Sequence, residues 1–276
     1  PGGPHDEPQH ELMGRVTTQM LELMEVGWSW FPRDDGEIEP ALERAVAHMT
    51  RTSRPYALVM KKDSVAPYEL RSAPTRREDA PRAIRGSFGA SRPTREEALL
   101  AVQRAANDAD VVVATTGYTG RELYACEDRP NQLYVVGSMG CASSLALGLA
   151  WAKPDRRVIV LDGDGAALMR LGAFATLAYE RLPNLVHVLL DNEAHESTGA
   201  QSTVSHSMDL AAVAHGCGYP DVARIGSAVE LEDALRDRAP GLRFLHVKTR
   251  HGVRADLPRP KVKPAEVAQR LRKLLA

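Results

Sequence analysis

Apolar positions along the chain follow two rhythms. From Glu11 onward, Leu12, Val16, Met20, Leu23 and Met24 fall at three- and four-residue steps, the spacing of one helical face. Leu42, Ala45, Val46 and Met49 repeat that spacing and predict a second helix over 38–49. The aromatic run Trp28 to Phe31 predicts a short strand, and Pro55 to Met60 a buried one. Helix, strand, helix, strand is an α/β order, but two strands are too few for a free-standing domain.

From Thr94 the alternation becomes regular. Apolar runs predict strands at 111–115, 133–136, 157–162, 184–191, 222–225 and 242–249. Helices are predicted over 95–107, 120–126, 141–151, 171–181, 209–216 and 228–238. The strands are continuous rather than alternating, as in a mostly parallel sheet covered on both faces. The expected architecture is therefore a doubly wound α/β domain over 94–276, with its ligand at the carboxyl ends of the strands. Before it, 65–93 reads as an Arg/Pro-rich linker: between Arg71 and Arg95 stand seven Arg, three Pro, two Gly and only two acids.

Composition narrows the function. The 276 residues carry a net charge of -1 and are 43% hydrophobic, which argues against a nucleic-acid binder acting by bulk charge and against a disordered chain. Cys126, Cys141 and Cys217 form neither a disulfide framework nor a zinc spacing, so a reducing cytoplasm is expected. The uncharged stretch 133–152 has the length of a membrane span. Its Gly137, Ser138, Gly140, Ser143, Ser144 and Gly148 make insertion too costly. Pro1-Gly2-Gly3-Pro4 is loop chemistry, and the chain is expected to begin inside a larger protein.

The predicted strand over 157–162 delivers Asp164 between Gly163 and Gly165. Glycines let the backbone approach a bulky anion, and a carboxylate beside a phosphate implies a hard divalent cation such as Mg²⁺. Asn192, 28 positions after Asp164 at the end of the next strand, offers an amide oxygen to the same ion. A rival reading remains open here. Asp162 and Asp164 also resemble the strand end of aspartate-nucleophile phosphatases, where Asp162 would attack phosphorus.

Gly163-Asp164-Gly165 followed by Asn192 resembles the thiamine diphosphate fingerprint. The run Thr116 to Leu123, the loop Gly137-Ser138-Met139-Gly140 and the run Asp191 to Gly199 together resemble phosphonopyruvate decarboxylases, with sulfopyruvate decarboxylases as near relatives. The resemblance implies Mg²⁺ on Asp164, Asn192 and the main-chain oxygen of Ala194. It places the diphosphate on the backbone around Gly165 and Ala166. Further cofactor contacts are implied at Thr116, Gly117, Gly137, Ser138, Met139 and Gly163. Met139, 25 positions before Asp164, would be the wedge that bends the cofactor, and the Gly137 carbonyl would accept from its 4′-amino group. Two departures stand out: Ala166 replaces a frequent Ser, and Thr198 stands where several relatives carry a catalytic Glu. Arg121 is a weak candidate for the substrate anion.

The amino-terminal part resembles the last portion of the family's pyrimidine-binding domain, over 1–64. Its loop brings Gln9 and His10 to the reaction centre, and His195 or Glu196 are the other candidates for proton transfer. The polar segment from Asn192 to Ser205 is otherwise a loop. The implied reaction is decarboxylation of 3-phosphonopyruvate to phosphonoacetaldehyde and CO₂, in phosphonate biosynthesis. The alternatives are sulfopyruvate decarboxylation, or a cofactor-holding subunit inactive alone. The resemblance implies an upstream Glu, before Pro1, that completes the pyrimidine domain, so a homo-oligomer, or a chain or segment supplying that half of the domain, is the expected partner.

Overall fold

The computed structural model describes residues 7–8, 10–77 and 83–276. They divide into two compact units at Thr75 and Arg76. The first holds α1 (His10–Leu23), β1 (Gly27–Trp30), α2 (Ile38–Thr52) and β2 (Tyr56–Val59). β1 and β2 pair in parallel, from Gly27 against Tyr56 to Trp30 against Val59. Its core is thin. Among the described residues only Ala41 and Ala45 are buried apolar side chains here, while Leu12, Leu23, Met24 and Val46 stay exposed.

The second unit opens with β3 (Ala83–Gly86) and α3 (Arg95–Ala105). There follow β4 (Val111–Ala114), α4 (Tyr118–Cys126), β5 (Gln132–Tyr134), α5 (Ala142–Ala152), β6 (Val158–Gly163), α6 (Asp164–Met169), α7 (Gly172–Glu180) and β7 (Leu185–Asp191). A hairpin of β8 (Ala194–His195) and β9 (Gln201–Ser202) precedes α8 (Leu210–Cys217), β10 (Asp221–Ile225), α9 (Ala228–Arg236), β11 (Arg243–Lys248) and α10 (Pro264–Leu275). Seven strands form one parallel sheet in the order β3-β10-β11-β7-β6-β4-β5. An apolar core covers each face. The central strands are buried along their whole length, which is why they read as mostly apolar runs, interrupted in β7 and β11 by buried polar residues such as His187 and His246.

Two features depart from expectation. The stretch 65–93 is not wholly a linker, because β3 lies within it and forms the sheet edge beside β10. An edge strand needs only backbone pairing on one side, so its composition can stay polar. Arg85 fixes it by gripping Asp221 through Nε at 3.1 Å and Nη2 at 2.6 and 2.7 Å. The second departure is α10, which sequence periodicity did not predict. It buries little beyond Val267 and Leu271, one in each core.

The strand order fixes the site. β4 connects outward to β5, and the chain then crosses back to β6 on the other side of β4. A crevice opens at the carboxyl ends where the order reverses. Thr115 to Gly117 leave β4 there, Asp164 leaves β6, and Asn192 leaves β7. No helix among the described residues is long and apolar enough to cross a membrane. The uncharged stretch 133–152 contributes to β5 and α5.

Candidate functional site

One pocket gathers most of the expected residues. Thr116, Gly117, Met139, Gly163, Asp164, Gly165, Ala166, Asn192, Ala194, His195 and Glu196 all line it. Gly137 and Ser138 stand at the exposed surface and are not part of its lining. The loop they open runs at positive φ through Gly137, Ser138 and Gly140 (69°, 45° and 88°). Of that loop, Met139 lines the pocket. His10, exposed at the start of α1, belongs to the first unit, and Gln9 lies outside the described residues.

Asp164 is 2% exposed. Its Oδ2 accepts from Thr203 Oγ1 at 2.5 Å and from Ser205 Oγ at 3.3 Å. Burial pushes its carboxyl above the usual range, and the bond from Thr203 offsets that only in part. Across the pocket, Asn192 donates from Nδ2 to Glu196 Oε2 at 3.0 Å, and its Oδ1 accepts from Ala194 N at 3.3 Å. The neighbouring Asp191 behaves oppositely. Burial opposes its ionisation, but hydrogen bonds from His246 and Lys248 outweigh that and pull it down to about 2. Asp191 also accepts from Ser205 Oγ at 2.8 Å, so one hydroxyl links the carboxylates at the ends of β6 and β7.

Gly165 is closely approached by side chains. A Cβ there would stand 2.5 Å from the His195 imidazole and 3.4 Å from Met139 Cε. His195 and Met139 therefore flank the Gly-Asp-Gly turn. Glu196 is held by the Arg95 guanidinium at 2.8 Å and by the Gly252 N–H. Arg95 in turn grips Glu122 through two bonds of 2.9 Å. This buried Arg95 lines the pocket and was not anticipated, nor were Tyr118 and Ser197 beside it. Thr94 caps α3 through a reciprocal bond pair with Glu97, which fixes where Arg95 enters the pocket wall.

Arg121, the weak anion candidate, is turned elsewhere: its Nη2 donates to Leu257 O at 2.9 Å, and it does not line the pocket. The segment expected as a loop from Asn192 to Ser205 contains the β8–β9 hairpin, closed by Thr203 N donating to Glu193 O at 2.9 Å. Cys141 sits half-buried just before α5. Asp162 does not face the pocket. It is fully buried, its Oδ1 accepts from Gly163 N at 3.0 Å, and its Oδ2 lies 3.5 Å from His187 Nε2. A phosphorus-attacking nucleophile must reach the cleft, so this geometry removes the phosphatase reading.

Two carboxylates line the pocket, Asp164 and the Arg95-bound Glu196, together with the Asn192 amide and the Ala194 backbone. Among the described residues no group of three His, Cys, Asp or Glu could hold a metal. The mixed oxygen set suits a hard cation that keeps part of its coordination for water and phosphate oxygens. A buried carboxylate with a raised pKa and no cationic partner among its hydrogen bonds is also a group that a cation would relieve.

A crevice at a strand-order reversal, walled by a Gly-Asp-Gly turn and an Asn from the next strand, defines a thiamine diphosphate enzyme domain. Accordingly, residues 115–247 match the thiamine pyrophosphate enzyme family, C-terminal TPP binding domain. A 2-oxoglutarate:ferredoxin oxidoreductase from Magnetococcus marinus shares the fold, with a TM-score of 0.51 at 18% identity over 59% of this chain and 66% of that one. The chain is 41% identical over 280 residues to the phosphonopyruvate decarboxylase of Streptomyces viridochromogenes, covering 98% of this chain and 69% of that protein. It belongs to the phosphonopyruvate decarboxylase family. It is also 42% identical over 161 residues to sulfopyruvate decarboxylase subunit beta of Methanothermobacter thermautotrophicus, covering 58% of this chain and 84% of that protein.

Proposed function

We propose that the chain carries out thiamine diphosphate- and Mg²⁺-dependent decarboxylation of 3-phosphonopyruvate to phosphonoacetaldehyde and CO₂, a carbon–carbon lyase step in phosphonate biosynthesis. The near full-length similarity to a phosphonopyruvate decarboxylase carries this reading. In it, Asp164, the Asn192 amide oxygen and the Ala194 carbonyl hold Mg²⁺. The backbone at Gly165 and Ala166 takes the diphosphate, with Thr116, Gly117 and Gly163 around it. Met139 props the cofactor, while Gly137 and Ser138 shape its loop. When bound, thiamine diphosphate supplies the electron sink for the carbon–carbon bond that breaks. His195, lying over Gly165, is assigned to hold or move a proton at the reaction centre. Glu196 is committed to Arg95 and Asn192 and is assigned to orienting that amide. Gln9 and His10 are assigned to the reaction centre by the family resemblance.

In the same reading, 1–64 is the last part of a pyrimidine-binding domain and 94–276 is the diphosphate- and Mg²⁺-binding domain. The exposed Leu12, Leu23, Met24 and Val46 are then covered by a second protomer or by another chain or segment supplying the rest of that domain. The cofactor lies between two such chains or segments. Three free cysteines fit a reducing cytoplasm.

The similarity to a sulfopyruvate decarboxylase subunit favours a second reading, with the sulfonate as substrate. A phosphonate can carry one more negative charge than a sulfonate and calls for more cationic or N–H donors. Purified chain with thiamine diphosphate and Mg²⁺ is assayed on both acids by aldehyde release. Higher kcat/KM on phosphonopyruvate supports the first reading, and the reverse order supports the second. Activity seen only after a pyrimidine-domain chain is added assigns this chain a cofactor-holding role.

A further inference from the structure

The turn carrying Asn192 and Ala194 passes through Glu193, which sits in the left-handed region at φ 62°. Asn192 and Ala194 line the pocket and Glu193 does not, so the reversal at Glu193 is what sends both of its neighbours to the same side. A residue with a side chain keeps such a conformation only where its surroundings impose it. Its N–H donates to Asp191 Oδ1 at 3.0 Å, and its carbonyl accepts from Thr203 N at 2.9 Å. Its carboxylate is clamped from two directions. Lys248 Nζ reaches it at 2.8 Å from the end of β11, where Lys248 also meets Asp191 at 2.7 Å. Arg92 takes it bidentately, at 2.9 and 3.2 Å.

Arg92 comes from the short strap between β3 and α3, a stretch read from sequence as linker. That strap is itself fastened. The Phe88 ring packs edge-on against His246 at 4.9 Å. Gly89 lies so close to Gly226 that a Cβ would stand 2.2 Å from its carbonyl oxygen, and Arg250 N donates to Pro93 O at 2.8 Å.

We propose that Arg92, acting through Glu193, is a positioning residue for the metal and diphosphate: the fastened strap locks the Asn192–Ala194 turn so that both oxygen donors face the pocket shared with Asp164. Arg92 touches neither reacting atoms nor, in this assignment, the metal. The inference rests on the Mg²⁺ reading given above.

The test is calorimetric binding of thiamine diphosphate to the full chain, with and without Mg²⁺, alongside melting of the ligand-free protein. Arg92→Gln is expected to weaken Mg²⁺-dependent binding about tenfold, the usual scale for loss of a group that orients a metal ligand, and to leave ligand-free melting unchanged. Glu193→Gly keeps access to the left-handed turn but removes the carboxylate, and should weaken binding similarly. Arg92→Gln combined with Glu193→Gly should be no weaker than Glu193→Gly alone, because Arg92 acts only through the carboxylate that Glu193→Gly already removes. Arg92→Lys should restore part of the affinity. Additive losses in the double variant, or unchanged affinity in Arg92→Gln beside a metal-dependent wild type, overturn the inference and leave the Mg²⁺ reading intact. A wild type whose binding ignores Mg²⁺ overturns both.

Discussion

Asp164→Ala separates what the carboxylate does for the fold from what it does for the ligand. Asp164 is the only side-chain carboxylate assigned to Mg²⁺, and it is 2% exposed. Removing one partner of a buried charge pair costs about 3–5 kcal/mol. At about 1.4 kcal/mol per decade, Mg²⁺-dependent thiamine diphosphate affinity should fall roughly a hundredfold or more. The ligand-free protein should respond in the opposite sense. There the buried carboxylate is costly, since burial and the nearby Asp191 charge raise its pKa and the Thr203 and Ser205 hydroxyls and its own backbone N–H compensate only in part. A folded-state pKa above the unfolded one favours the fold below the unfolded carboxylate range, near 3.9, and that contribution is lost as pH rises through the folded value. Ligand-free Asp164→Ala should therefore melt at or above the wild-type temperature at neutral pH, with the advantage vanishing in acid. Asp162→Asn provides the contrast. It sits beside Gly163 N and His187, away from the pocket, so it should lower stability while leaving metal dependence in place. Calorimetry with and without Mg²⁺, beside melting curves over pH, reads both effects. Wild-type affinity in Asp164→Ala would refute the reasoning, as would loss of metal dependence in Asp162→Asn alone.

Gly165→Ala should abolish cofactor binding or lower melting, because its Cβ meets the His195 imidazole at 2.5 Å; an unaltered binding isotherm and melting curve would contradict this. Arg95→Met leaves Glu122 and Glu196 buried without their cation and should cost about 3–5 kcal/mol in denaturant unfolding. A loss below about 1 kcal/mol, the scale of an exposed pair, would deny that network its role. Asp191, held down to about 2, contributes on the order of 2 kcal/mol that is present above the unfolded carboxylate pKa and lost as pH falls toward 2. Lys248→Met should therefore move acid unfolding to higher pH, and an unmoved midpoint would count against the assignment.

The central strands were legible because burial on both faces forces apolar runs such as Val158 to Leu161 and, broken only by the buried His187, Leu185 to Leu190. Gly163, Asp164, Gly165 and Asn192 were legible because a fixed spacing around glycines has few other uses. β3 was not, since an edge strand buries little and Ala83-Ile84-Arg85-Gly86 carries no alternation. α10 was faint for the same reason, with an apolar face of little more than Val267 and Leu271. Arg95 escaped notice because its partners lie 27 and 101 positions away, and burial of a charge leaves no local mark. The left-handed state of Glu193 was equally hidden, because a Glu gives no hint of positive φ.

The pairing of β3 with β10 has a consequence for how the protein is made. Ala83 registers with Asp221, 138 positions later in the chain. At about 5–20 residues per second on the ribosome, β3 waits roughly 7–28 s for its only neighbour in the sheet to emerge. During that interval the strap that carries Arg92 has nothing to fasten to, because His246, Gly226 and Arg250 are also still unmade. The nascent chain thus presents a polar, arginine-bearing segment rather than a sticky apolar strand while it waits, which suits an edge that must stay unpaired without aggregating. The strap that holds the Asn192–Ala194 turn is fastened only after Arg250 has been made.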